Sequence, residues 1–316
     1  MSPRRLRVER TGPGVLVEDL GRIGWAQLGV TRSGAADLRS LRRANRLVGN
    51  AEGAAGLEIL IGGLEVVATA HLVVAVTGAT CPVRIDGRPV PREAVLDLPA
   101  GCRLSLGTAA TGLRAYLAVR GGVDVPPVLG SRSFDTLAGL GPSPVAPGDV
   151  LPVGPATGPL AGERPRVDVV PVAGWTGPED VVVLRAVPGP RVDWLTAGAL
   201  DHLWGPGSGW RVSADADRVG LRLTGPVLAR DEAHRQAELP SEGLVRGAVQ
   251  VPPGGYPVLF LADHPVTGGY PVVAAVLDAD VDLAAQLRPG QRMRFARAVV
   301  PRTIRRETSP VRPEEA

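Results

Sequence analysis

The 316-residue chain contains no lysine, so every one of its 35 strongly basic side chains is an arginine. That absence removes several chemistries at once. A Walker A phosphate loop needs a lysine beside its glycine-rich turn, and Schiff-base catalysis, a Ser–Ser–Lys amidase triad and a biotinyl group all need one too. Histidine is scarce as well. His71, His202, His234 and His264 stand apart with neither HxxxH nor HxH spacing, so no metal site is expected in this chain. The two cysteines, Cys81 and Cys102, form no CxxC pair and no disulfide framework. Around Ser208 the run Pro206-Gly207-Ser208-Gly209-Trp210 does not make a GxSxG nucleophile elbow. No apolar run reaches membrane-spanning length and the N-terminus lacks an apolar signal region, so a cytoplasmic location away from membranes is expected. Aromatic residues make up only 3% of the chain, and the arginine clusters at 4–7, 39–46 and 302–306 have no interleaved stacking rings. With a formal charge of only +3, nucleic-acid binding is not expected.

Glycine (41) and proline (31) are abundant and punctuate short Val/Leu-rich runs such as 72–77, 115–119, 181–184 and 257–261. This rhythm predicts a mainly β protein of barrels or sandwiches rather than a parallel α/β sheet. Arg84 to Val90 reads as a hairpin around the Asp86-Gly87 turn. Helical spacing of Leu38, Leu41 and Leu47-Val48 predicts one helix from Ala36 to Val48, capped by Ser33 or Asp37 and stopped by Gly49-Asn50, with its arginines mainly on the other faces. A second helix is expected over Arg191 to Leu203. The length predicts two domains, 1–155 and 166–300, joined by a Gly/Pro/Ala-rich linker at 156–165 and followed by a flexible tail at 301–316. A faint internal repeat is what two related β domains, or chance recurrence of common Pro-Gly turns, would produce. The strand at Leu117 precedes Pro147-Gly148 by the same spacing that separates Leu259 from Pro289-Gly290.

Three polar segments exceed what turns alone require. The first, Glu18 to Asp37, sets an acid–Gly–Arg arrangement on tight loops, where Arg22 suits bidentate recognition of a carboxylate or carboxyphosphate, or an ion pair fixing a turn. In the second, Asn45 interrupts a helix where asparagine has poor propensity, and Glu58 on an apolar strand needs a partner such as Arg22 or Arg46. In the third, Gln250, Asp263, Thr267 and Tyr270 lie at strand ends beside Gly-rich turns, a set suited to a small planar amide, with Asp263 or His264 available as a base.

Together the segments EDLGRIG (18–24), LGVTRSGAAD (28–37), ANRLVGN (44–50), YLAVRGGVDVPPVLGSRS (116–133), SEGLVRGAVQVPPGG (241–255), TGGYP (267–271) and QLRPGQRMRF (286–295) resemble, in order, the family of 5-oxoprolinase C subunits, also called allophanate hydrolase subunit 2. The same module is similar to one half of the carboxyltransferase domain of urea carboxylase. The resemblance implies two cyclophilin-like β-barrel domains with a few short helices, and a heteromer formed with homologues of the B and A subunits. It implies an ATP-dependent conversion of the cyclic amide 5-oxoproline to glutamate, in which phosphorylation activates the lactam carbonyl before water attacks. Two other functions stay open. One is a carboxyltransferase component acting with biotin carried by a partner; the other is a regulatory binding protein without catalysis. On matched polar positions, Asp37 and Asp263 are the candidate catalytic residues. Arg22, Ser33, Asn45, Gln250, Thr267 and Tyr270 are the candidate substrate-binding residues. The sequence departs from the family pattern at Glu18, Thr31, Ala36, Val219 and Leu221. At His264-Pro265-Val266 it departs where Arg-Gln-Thr is usual, which leaves the substrate open.

Overall fold

The computed structural model describes residues 3–156, 180–207 and 209–299. The expected linker at 156–165 falls almost entirely outside the described residues, as does the tail at 301–316. The described chain is mainly β with three short α-helices. Its strands follow the Val/Leu-rich runs because β-branched side chains pack well on a pleated, half-buried surface.

In the first half, two antiparallel sheets enclose one core. One sheet runs, in order of pairing, Val150–Pro152, Arg5–Arg10, Glu65–Ala68, Arg103–Leu106, Val83–Ile85 and Arg88–Val90. The other runs Gly14–Glu18, Gly56–Leu60, Thr111–Val119, Leu72–Thr80 and Leu96–Leu98. Alternating residues such as Leu6, Val8, Leu57, Ile59, Val74 and Leu117 meet between them. The hairpin at 84–90 forms as expected, with Asp86 and Gly87 both at positive φ, the turn whose twist matches its strands.

The strand Leu72–Thr80 is buried along nearly its whole length, which explains its unbroken apolar sequence. One face lies on the core, and the other is covered by helix α1 (Leu38–Leu47), through Ala44 and Val48 against Val73, Ala75 and Ala118. Helix α1 starts at Leu38 rather than Ala36 because Asp37 is its cap. The Asp37 carboxylate accepts from Ser40 N (2.9 Å), and Gly49 at φ 72° ends the helix.

The second half is a closed barrel of seven strands around a separate core that includes Leu184, Trp210, Leu221, Val249, Leu259 and Phe295. Closure comes from Val181–Pro188 pairing in parallel with Arg292–Arg297. A closed sheet leaves no edge to satisfy. The second expected helix is broken into a 3-10 turn, Val192–Trp194, and α2 (Ala197–Trp204), because Thr196 caps a fresh start by accepting from Ala199 N. A third helix, α3 (Asp278–Ala284), was not expected from the sequence; its apolar positions are too few to show a period. No helix among the described residues is long and apolar enough to cross a membrane.

Candidate functional site

The two halves meet along a seam built from charged groups. Arg218, 7% exposed, leaves the barrel and enters the first half. Its guanidinium donates to Asp263 through Nε (2.9 Å), to Gly34 O through Nη2 (2.6 Å) and to Glu58 through Nη1. Glu18 stands 3.2 Å from Nη2. Glu58 also pairs with Arg114 (3.3 Å) and accepts from Tyr116 OH and Ala36 N. The partners expected for Glu58, Arg22 and Arg46, are therefore replaced by Arg218 and Arg114. The planar guanidinium supplies enough donors in a fixed fork to serve both halves at once.

Electrostatics follow from this crowding. Burial alone would raise Glu58 and Asp263, but Arg218 overcomes it and holds both carboxyls below their usual range, Arg114 adding to the effect at Glu58. Among the described residues neither Glu18 oxygen has a hydrogen-bond partner of good geometry. Burial, together with the charges of Glu58 and Asp263, pushes it well above the usual carboxylate range despite Arg218.

A second seam runs beside the first. Asp282 of α3 accepts from Leu38 N (3.0 Å), capping α1 from the other half, and takes a hydrogen bond from Arg246 (2.6 Å). Gln286 satisfies all of its amide capacity across the boundary. Its Oε1 accepts from Leu113 N and Arg114 N, and its Nε2 donates to Asp37 and Arg114 O. The loops obey the same economy. Gly21 and Gly34 have φ of 82° and 93°, and a Cβ on Gly21 would lie 2.3 Å from Arg32 O, so the two strands of this loop can touch only through glycine.

Above the seam a cavity of about 750 Å³ opens between the halves. Its walls are the loop 22–33, one face of α1, the segment 244–246, Ala262, His264 and the start of α3. Arg39, Arg42 and Arg46 of α1, spaced three and four residues apart, all line it, so the helix face assigned to arginine is the cleft wall. Six arginines face three carboxylates, Glu52, Asp278 and Asp282. The volume suits a small-molecule ligand. His264, 8% exposed, lines the same cavity. Its Nδ1 lies 2.8 Å from Pro265 O; a carbonyl only accepts, so the proton sits on Nδ1 and Nε2 keeps its lone pair. Burial lowers the His264 pKa, favouring this neutral form.

Among the expected site residues, Arg22 and Ser33 line the cavity. Asp37 and Asp263 are buried behind it, and every oxygen of theirs is engaged. Asp37 accepts from Ser40 and Gln286, and burial together with Asp282 raises its carboxyl to about 6. Asp263 accepts from Ser33 Oγ (2.7 Å), from Thr136 N and Oγ1, and from Arg218. This geometry gives both carboxylates a positioning place, without an open oxygen for substrate. Asn45 is fully buried and holds the chain after α1 through Glu52 O and Ala54 O, which explains its presence in a helix. Gln250, at the end of barrel strand Ala248–Gln250, donates to Tyr270 O (2.8 Å) and ties that strand end to the loop at Tyr270. Neither of these residues lines the cavity, nor does Thr267 or Tyr270. Sequence reasoning missed Arg246, Asp282 and Arg218. Arg218 falls in ADRVGLRLTGP (216–226), a further segment that resembles the family, but an arginine between Asp217 and an apolar strand suggested no role of its own.

The carboxyltransferase domain, subdomain A and B, matches residues 28–297. The C subunit of the Escherichia coli 5-oxoprolinase is 38% identical over 92% of this chain and 90% of its own length. That of Haemophilus influenzae is 32% identical over 88% of this chain and 86% of its own length. The crystal structure of the K. lactis urea amidolyase aligns with a TM-score of 0.85 at 27% identity, covering 93% of this chain and 19% of that one. The chain thus spans most of the C subunits but only about a fifth of the amidolyase. It belongs to the carboxyltransferase-domain family, subdomains A and B, together with the 5-oxoprolinase C subunits.

Proposed function

We propose that this chain is the C subunit of an ATP-dependent 5-oxoprolinase, working with the A and B subunits to open 5-oxoproline to glutamate. The observation that carries this reading is similarity to such a C subunit over 92% of the chain and 90% of that relative. The cleft between the halves is the proposed substrate site. Its arginines suit the carboxylate of 5-oxoproline, through charge-assisted and bidentate hydrogen bonds. His264, with Nε2 unprotonated, is the proposed base that takes a proton from water as it attacks the activated carbonyl carbon. Asp263, next in sequence to His264, and Asp37 hold the walls in register. ATP is used by the assembled complex.

The family match favours a second reading, transfer of a carboxyl group from biotin on a partner to an amide nitrogen. One assay separates the two. Co-expressed with the A and B subunits, the chain is expected to release glutamate from 5-oxoproline only when ATP is present, with no effect of avidin. Release of glutamate by the other two alone, or none by the full assembly, would overturn the proposal; inhibition by avidin would favour carboxyl transfer.

A further inference from the structure

Away from the cleft, a second hollow of about 490 Å³ lies on the barrel beside α2. Ala199 and Leu203 of that helix are buried in the barrel core, which fixes α2 against the sheet. Leu200, Asp201 and Trp204 of the same helix line the hollow. The lining is completed by Val192 of the 3-10 turn and by Pro188 and Arg297 from two neighbouring barrel strands, which pair in parallel with Ala186 opposite Arg297. None of these residues lines the cleft. Four of the six are apolar. Val192, Leu200 and Trp204 are half-buried and pack against the barrel core, so the bed they make is held in place from beneath. Arg297 is exposed, and among the described residues its guanidinium has no carboxylate partner. Asp201 is the one acidic side chain in the lining.

We infer that this hollow is a second ligand site, for a small monocarboxylate with an apolar or aromatic body. The body rests on Leu200 and the indole of Trp204, and the carboxylate accepts from Arg297. A guanidinium only donates, and its planar fork matches the two oxygens of a carboxylate. An apolar bed with a single cation asks for a ligand that is apolar at one end and anionic at the other, and the volume is in the range of small-molecule pockets. Asp201 limits the charge. One arginine against one aspartate leaves no surplus cation for a second negative group, so a monoanion is preferred to a dianion. The inference goes beyond the proposed function and does not depend on it, because the two sites share no residue.

Calorimetric titration of the full chain with phenylacetate tests this. Acetate supplies the carboxylate without the body, and benzyl alcohol the body without the charge. Phenylacetate is expected to bind saturably at roughly millimolar concentration, and the other two probes about tenfold more weakly or less. Arg297→Met is expected to weaken phenylacetate about tenfold. Asp201→Asn is expected to tighten it about threefold, a gain that partial unfolding cannot imitate. Arg39→Met, which alters the cleft instead, is expected to bind like the parent. Phenylacetate is also expected to change the tryptophan emission of the parent but not of Trp204→Phe, which keeps a ring on the bed. Far-ultraviolet circular dichroism confirms that each variant is folded. No saturable binding, or binding of acetate or benzyl alcohol as tight as that of phenylacetate, would overturn the inference. So would an equal loss in Arg39→Met or an undiminished emission change in Trp204→Phe, since either would put the probe elsewhere on the molecule.

Discussion

His264 lines the cleft wall, and an imidazole there decides what the wall can do. An arginine there is a permanent cation; a neutral imidazole accepts a proton. Because burial lowers its pKa below the ordinary 6.5, the base form persists into mildly acidic solution and is lost only as pH falls through that lowered value. In the assembled complex, kcat/KM is therefore expected to stay level down to about pH 6.5 and to drop further on the acid side. His264→Ala is expected to reduce kcat by roughly 10²–10⁴-fold and to erase that acid limb. An unchanged limb in the variant would remove His264 from the chemistry. The residue was visible in the sequence as one of two candidate bases, but its tautomer was not. That depends on Pro265 O, a contact made by the local backbone turn. Asp263 shows the converse. Its polar surroundings were legible, while its donors come from residues 33, 136 and 218, distances no local pattern reports.

Helix α1 joins capping, packing and the cleft in ten residues. Its apolar stripe was legible, since Leu38 and Leu41 recur at helical spacing and pack beneath it. Its arginine face was legible as a face but not as a wall, because the opposite wall arrives from residues 244–282. The cap itself has a measurable pH signature. Asp37 keeps its proton to about pH 6 in the folded chain, whereas an unfolded aspartate releases it near 3.8. Between those values the folded state binds more protons, so this site makes stability fall as pH rises from about 4 to 6 and then level off. The full effect is on the order of 3 kcal/mol. Glu58 and Asp263, held low, act in the opposite sense and lose their contribution only in stronger acid. The difference in unfolding free energy between the parent and Asp37→Asn, followed by urea titration from about pH 4 to 7, is thus expected to vary with pH over this window. A constant difference would show that Asp37 does not titrate there.

At the scale of the whole molecule, two separate main cores are joined by a largely polar seam, to which a small buried cluster of Ala36, Ala262 and Ala285 adds apolar contact between the halves. Arg218 carries most of that seam. Replacing it with methionine leaves Glu58 and Asp263 buried without their main counter-charge, at a cost of about 3–5 kcal/mol. The parent is expected to unfold in one calorimetric transition. Arg218→Met is expected to unfold at lower temperature and in two, as each half melts on its own core. A single transition shifted by the same amount in Arg211→Met, whose arginine bonds Gly290 O inside the barrel, would argue against the seam as the coupling element. The mainly β architecture was legible because strand rhythm is a local property. The seam was not, since its partners lie up to 249 residues apart in the chain, as Gln286 and Asp37 do.

The same weld decides how a ligand comes and goes. Both walls of the cleft are pinned at the floor by Arg218, Asp282 and Gln286, so the halves cannot swing apart like a clam shell without stripping buried charges of their partners. A ligand of the proposed site is then expected to pass over the rim, where Ile23 (75% exposed) and Val245 (60%) stand in solvent. Residence time in the proposed site is then expected to be set at its doorway, by what rests on those two side chains.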